Sequence, residues 1–261
     1  MALTYRSYLR LPELLALQTP LSDAHDELLF VTIHQASELW MKLCLHELTE
    51  ARRRIAADDL APALKMMARV SRIQAQLIQS WEVLATMTPA DYAKMRGSLG
   101  TSSGFQSDQY RMLEFLLGNR APAMVDVFAG DAQVQVALRA ELIRPSLYDE
   151  AIRLLARAGI PLPPERLERD WGTTPEPSRE VEVAWARVYA EPDRYWDLYE
   201  LAEKLVDLEY HLQLWRFGHL KTVERVIGFK RGTGGTAGVN YLARVVEQRV
   251  FPELLAVRTS L

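Results

Sequence analysis

The sequence predicts an all-α protein, a helical bundle built round two or three long helices and forming one domain over residues 1–261. Three observations predict it. Apolar residues recur at spacings of three and four over long stretches, no segment of useful length alternates with a period of two, and there is no internal repeat or low-complexity tract.

The elements follow in order. Residues 1–20 contain no unbroken apolar core of the kind a secretory leader needs. Residues 27–55 repeat Phe30, Ile33, Ser37, Trp40, Cys44, Leu48, Ala51 and Ile55 along one stripe, and residues 61–87 continue with Leu64, Met67, Val70, Ile73, Leu77, Trp81 and Leu84. In TPADYAKMRG, Thr88 suits an N-cap, Pro89 the first helical position and Asp91 the first turn, while Gly97 stops the run. A short helix carrying Tyr92 and Arg96 results. GSLGTSSGFQS is a Gly/Ser loop, and a helix through Tyr110, Leu113, Phe115 and Leu116 ends at GNRAP. Helical patterns cover about 123–136 and 145–158. Residues 159–181 are rich in Pro and charge and predict a surface excursion. The longest helix is expected from about Asp193 to Val226, followed by the glycine-rich KRGTGGTAG and a last helix from about Asn240 to Ala256. Long helices of this kind leave apolar faces for a second copy, so an oligomer is expected.

Apolar residues make up 49% and charged residues 25%, ordinary for a globular chain. The net charge of −3 offers no basic excess to neutralise phosphates, so nucleic acid is not an expected partner. The one cysteine, Cys44, cannot form an internal disulfide or a CxxC site, and a cytoplasmic location is expected. No window approaches the roughly 20 apolar residues of a membrane span, so no membrane partner is expected.

Spacing excludes several chemistries. No histidine has an acidic residue three positions before it, as a bundle di-iron site requires, and HEL at 46–48 does not continue into H-E-x-x-H. Residues 232–237, GTGGTA, match G-x-G-x-x-A, but that pattern has force only between a strand and a helix. Here it follows a long helix and reads as a flexible or ligand-closing loop.

Five histidines remain. The seam of the 193–226 helix runs Leu201, Leu205, Leu208, Leu212, Trp215, His219, Val223, Val226, so His219 points inward while His211 lies off the seam. An inward imidazole is either a hydrogen-bonded structural residue or, since haem iron needs one protein ligand in an apolar cleft, an axial ligand. His34 lies one turn after Phe30 at the stripe's edge and reads as a boundary residue or a ligand contact. His46 points away from the stripe, and His25 belongs to a helix start. Tyr92 and Arg96 share a helix face. Arg96 either completes the helix dipole at the surface or forms a fork for a carboxylate.

LTYRSYLRLPELLALQTPLS, HDELLFVTIHQASELWMKLCLHEL, GSLGTSSGFQSDQYRMLEFLLGN, DLEYHLQLWRFGHLKTVERVIGFKRGTGGTAG and FPELLAVRT resemble the tryptophan 2,3-dioxygenase family nearly end to end. The resemblance implies an all-α enzyme with haem b, ferrous in its active form, assembled as a homotetramer (a dimer of dimers). The implied reaction inserts both atoms of O2 across the indole C2–C3 bond of L-tryptophan to give N-formyl-L-kynurenine, the first step of tryptophan catabolism by the kynurenine pathway. It implies His219 as axial iron ligand, Phe30, Val31, Thr32, Ile33 and Leu99 round the substrate, and His34 near the indole N–H. Tyr92, Arg96 and Thr233 would hold the amino-acid end. Trp81, Ser103, Gly104 and Tyr110 would wall the cofactor side, and Tyr5, Tyr8 and Leu9 of the N-terminal segment would reach a neighbouring subunit's site. His34, with a reference pKa of about 6.5, suits an acceptor that orients the indole better than a base that deprotonates it. Two departures stand out: only Asp23 and Ala24 separate PLS from HDE, and GTGGTAG replaces the family's common GTGGSSG, so Thr236–Ala237 has one hydroxyl fewer. Two other readings are an oxygenase for a modified tryptophan or indole, and a non-catalytic haem or gas-sensing helical protein.

Overall fold

Two one-turn helices open the chain, α1 (Tyr5–Tyr8) and α2 (Leu11–Leu14). The computed structural model describes every residue except Met1, Arg231, Thr233 and Thr236. Thr4 and Ser7 cap α1 reciprocally, yet neither short helix buries a side chain. Tyr5, Tyr8 and Leu9 are 76%, 71% and 40% exposed.

The frame is α3 (Glu27–Ala56) and α4 (Leu60–Leu84), joined by a link short enough to make them antiparallel neighbours. The α3 stripe is buried from Cys44 to Ile55 as its period requires, but Trp40 falls outside it and is exposed. α5 (Pro89–Arg96) carries the expected N-cap: Thr88 Oγ1 accepts from the Asp91 N–H at 3.2 Å, and the Asp91 carboxylate accepts from the Thr88 N–H at 3.3 Å. α6 (Asp108–Leu117) starts on Ser107, whose hydroxyl accepts from the Tyr110 N–H, and stops at Gly118 with φ 118°.

The helix expected over 123–136 is instead two pieces. Pro122–Phe128 is a 3₁₀ helix, and α7 (Ala132–Leu142) begins only where the Asp131 carboxylate takes the N–H groups of Gln133 and Val134. α8 (Leu147–Arg157) starts on a Ser146–Asp149 capping box. Within 159–181 lies α9 (Pro164–Leu167), with Ile160 and Val181 buried at the two ends and Arg169 held 2.8 Å from Asp149. α10 (Arg179–Ala190) leads into α11 (Trp196–Val226).

The last helix is also divided, into α12 (Val239–Glu247) and α13 (Pro252–Ser260). Two buried charges on α11 explain the break. Glu209 accepts from the N–H groups of Val250 and Phe251 at 3.0 and 2.8 Å, and Arg216 donates to the carbonyls of Val245 and Gln248 at 3.3 and 3.2 Å. These side chains satisfy the Val250 and Phe251 N–H groups and the Val245 carbonyl, which a continuous helix would have paired internally, and the Gln248 carbonyl, whose helical partner would be Pro252, a residue with no N–H; Pro252 takes the first position of the new helix.

One apolar cluster joins α3, α4, α6, α8, α10, α11 and α13. It fills the end of the bundle where Leu201–Leu212 of the α11 seam is buried. Towards the other end the same seam, from Trp215 to Val226, lines a cavity. Among the described residues there is no strand, and no helix is long and apolar enough to cross a membrane.

Candidate ligand and active site

The cavity has a volume of about 520 Å³, within the range of small-molecule and cofactor sites. It lies where the N-terminal half of α3, the C-terminal end of α4, α5, the second half of α11 and α12 converge with the 98–107 loop. The helical periods set its walls. Phe30, Ile33, Ser37 and Met41 recur on one α3 face, and Trp215, His219, Thr222 and Val226 on one α11 face.

Most of the residues singled out from sequence meet here. Phe30, Ile33, His34, Tyr92 and Leu99 line the cavity, as do Trp81, Ser103, Gly104, Tyr110 and His219. Val31 lines a smaller neighbouring cavity, whose wall also includes Phe30, His34 and Leu99. Thr32 is exposed on α3 and lines neither. Arg96 is half-buried at the end of α5, its guanidinium 5.9 Å from the Tyr92 ring centroid, and lies outside the cavity lining. Thr233 lies outside the described residues, and Tyr5, Tyr8 and Leu9 line neither cavity of their own chain. Sequence reasoning missed Arg111, Phe105 and Tyr241, which complete the wall from α6, the loop and α12. Trp215 and Val223, on the seam read from the sequence, also line the cavity, as does Thr222, three positions after His219 and not on that seam.

The two cavity histidines are held differently. His34 Nδ1 lies 2.7 Å from the Phe30 carbonyl oxygen. A carbonyl only accepts, so Nδ1 carries the proton and Nε2 is left with its lone pair. The Phe30 and His34 rings also pack at 4.1 Å. His219 makes no hydrogen bond to another described residue. Its imidazole stacks on the Trp81 indole with centroids 4.6 Å apart and planes 5° from parallel, and Trp215 lies 6.1 Å away. Burial lowers the pKa of both imidazoles. For His34 the Phe30 hydrogen bond and Glu38 oppose the shift; for His219 the neighbouring His34 adds to it, and the value falls to about 4. Both rings are therefore neutral at pH 7, each keeping a nitrogen lone pair. Burial also raises the Tyr92 phenol, against the pull of Arg96.

A buried charge network forms part of the wall, through Tyr110, Arg111 and Arg216, and reaches back to Glu114. Arg216 donates to Tyr110 Oη at 3.1 Å and to Glu114 at 2.8 Å, and Arg111 pairs with the other Glu114 oxygen. On lining residues, the buried donors Trp81 Nε1, Trp215 Nε1 and Arg111 Nε have no hydrogen-bond partner among the described residues. Among the described residues no group of three or more His, Cys, Asp or Glu side chains is placed to hold a metal ion. A metal here would need a ligand set that is mainly not protein. Haem fits these features. It needs one neutral imidazole, an apolar enclosure, and donors to meet its carboxylates.

This geometry defines an α-helical protein with a mainly apolar, partly open cavity for a cofactor or substrate beside two neutral imidazoles. The sequence profile described as tryptophan 2,3-dioxygenase matches residues 1–140 and 140–261. A protein of Erythrobacter litoralis named tryptophan 2,3-dioxygenase is 64% identical over 258 residues, covering 99% of this chain and 98% of its own. Proteins of the same name from Bacillus cereus and Bradyrhizobium diazoefficiens are 55% and 56% identical over 259 residues, in each case 99% of this chain and 93% of the relative. The chain belongs to the tryptophan 2,3-dioxygenase family.

Proposed function

We propose that the chain binds haem b in the 520 Å³ cavity, where His219 would hold the iron, and that it cleaves the indole C2–C3 bond of L-tryptophan with O2 to give N-formyl-L-kynurenine. The observation that carries this reading is the pair of neutral imidazoles facing one apolar cavity, one tied to its own helix and one with no hydrogen-bond partner among the described residues. When bound, ferrous haem supplies the iron chemistry that activates O2, and both oxygen atoms enter the product.

The chain's own residues supply the rest. Phe30, Ile33 and Leu99 give the indole an apolar slot and exclude water. His34 Nε2 accepts a hydrogen bond from the indole N–H and so orients the ring; a neutral imidazole is too weak a base to remove that proton outright. Tyr92 lines the cavity and Arg96 follows one turn later on α5, so the zwitterionic end of the substrate belongs at this side, with Thr233 contributing from the glycine loop. Association of copies into a tetramer is supported by the exposed Tyr5, Tyr8 and Leu15 at the N-terminus and by Tyr210, Leu214 and Phe217 on the outer face of α11. The cytoplasm, with O2 and free tryptophan, is the compartment this reading requires.

The test is to load the chain with haem, reduce it, add L-tryptophan and admit O2 while following N-formylkynurenine absorbance. Many turnovers are expected. His219→Ala should lose haem, and Arg96→Ala should weaken transition-state stabilisation by about 2–5 kcal/mol. His34→Ala should slow turnover about five- to tenfold, the size of one hydrogen bond. A haem-loaded parent that makes no product overturns the substrate assignment, and a haem-loaded H34A with no activity at all overturns the acceptor role.

A further inference from the structure

We propose that Gly218 is a positioning residue for His219: its missing side chain lets the Trp81 indole lie against the α11 backbone, and that indole holds the imidazole in one plane. The inference rests on the haem reading above and deepens it.

Glycine is a poor residue for the interior of a helix, because it gives up the most backbone freedom on folding. Gly218 lies well inside α11 and does not take a positive φ, so backbone conformation does not account for it. Space does. A Cβ on Gly218 would sit 2.8 Å from Trp81 Cδ1 and 3.4 Å from Cγ of the indole, with the Trp81 Cβ at 3.6 Å. The atoms it would meet belong to a rigid ring system beside its point of attachment, so the clash cannot be relieved by swinging the end of a flexible chain.

The indole admitted by Gly218 stacks on the imidazole of the next residue, 5° from parallel. It is itself braced by Trp215 at 5.6 Å. His34 and His211 show the usual way a helical histidine is oriented, with Nδ1 against the carbonyl four residues back, 2.7 Å away in each case. His219 has no such anchor among the described residues. A metal-bound histidine ordinarily takes its orientation from a hydrogen bond on its other ring nitrogen. Here the face of Trp81 takes that place, and a single missing methyl group makes the contact possible.

The experiment compares haem-loaded parent, G218A, Trp81→Leu, the double variant and Trp81→Phe. It reads the rate of haem transfer to excess apomyoglobin and the ferrous iron–histidine stretching band in resonance Raman spectra. G218A and W81L should each speed haem loss by about 10- to 100-fold, as loss of a ligand-orienting contact does, and move the band. In the W81L background G218A should add nothing, since the clash is gone, and W81F, which keeps a flat ring, should restore much of the parental behaviour. A G218A protein with the parental band and haem-loss rate overturns the proposal, as does an equal G218A effect with and without Trp81. Should G218A not fold, an unmoved band in W81L overturns it. A parent chain that retains no haem overturns this inference together with the reading beneath it, whereas a haem-loaded parent with an unaffected G218A overturns the positioning role alone.

Discussion

Arg216 is a buried charge in the cavity wall, and its removal should cost far more than one hydrogen bond. It is 2% exposed and donates to four groups on two elements: Tyr110 Oη and Glu114 on α6, and the Val245 and Gln248 carbonyls at the end of α12. Breaking a buried ion pair from one side typically costs about 3–5 kcal/mol, because a charge stays behind in low dielectric. Glu114 keeps Arg111, and Asn119 Nδ2 at 3.2 Å, so the electrostatic part for Arg216→Leu belongs at about 2 kcal/mol. Of the three neutral acceptors, the Gln248 carbonyl keeps Gln213 Nε2 at 2.6 Å; Tyr110 Oη and the Val245 carbonyl, at about 1 kcal/mol apiece, bring the total to about 4 kcal/mol. Arg216→Lys keeps the charge but not the planar fork and cannot reach all four groups, so about 2 kcal/mol is expected. The assay is urea unfolding of both variants with matched parent, alongside Glu114→Gln and the E114Q/R216L double. The double variant should cost clearly less than the sum of the singles, because each single strands the other's charge. α12 supplies Tyr241, Leu242 and Val245 to the cavity, so R216L should also loosen whatever the cavity binds. An R216L midpoint shift worth less than about 1 kcal/mol, or full additivity with E114Q, refutes the reasoning.

Two further outcomes follow from buried groups away from the cavity histidines. The Glu27 carboxylate accepts from the Ser22 hydroxyl, from the Leu21 N–H at 2.7 Å and from the Ser22 N–H at 2.8 Å, which holds its pKa below the usual 4.5. A depressed carboxylate contributes stability above the unfolded value and loses it as pH falls through the folded one. Amide protection at Leu21 and Ser22, corrected for intrinsic exchange, should therefore be constant above pH 4.5 and decline below it, and should be low at every pH in Glu27→Gln; E27Q protection equal to the parent's would exclude the clamp. Cys44 is fully buried and its thiol is pushed up to about 12, chiefly by burial. The folded chain should leave Ellman's reagent unreacted at pH 8 and release one equivalent in urea; rapid native reaction would mean that the α3–α4 core opens locally.

Which parts of this site were legible in the sequence follows from the range of the forces that built them. The inward His219, the Phe30–His34 pair and the Tyr92–Arg96 helix are consequences of a 3.6-residue period and a cap, both local, and all three sets of neighbours occur as the spacing requires. The break between α12 and α13 was not legible. Pro252 marks the start of α13, but the backbone between is satisfied by Glu209 and Arg216, more than thirty residues earlier, and no local signal predicts where a distant carboxylate will cap. That Arg96 stands outside the cavity lining while Tyr92 is within it, or that Thr32 turns to solvent, depends on how α5 and α3 are rotated against their neighbours, which packing decides.

Gly218 lies between the two cases. Its presence inside a strong helical pattern is a local anomaly visible in RFGHLK, since alanine would serve the helix better by about 1 kcal/mol. The anomaly says that something comes close, and only the fold says that it is Trp81. The same reasoning applies to Gly234, where a Cβ would lie 2.7 Å from Ser103 Cβ. Glycine there lets the backbone at Gly234 approach Ser103 in the 98–107 loop that walls the cavity. In both places residues far apart in sequence meet at a spot where one chain carries no side chain. A pattern search limited to residues with functional groups passes over such positions, although the site's shape depends on them.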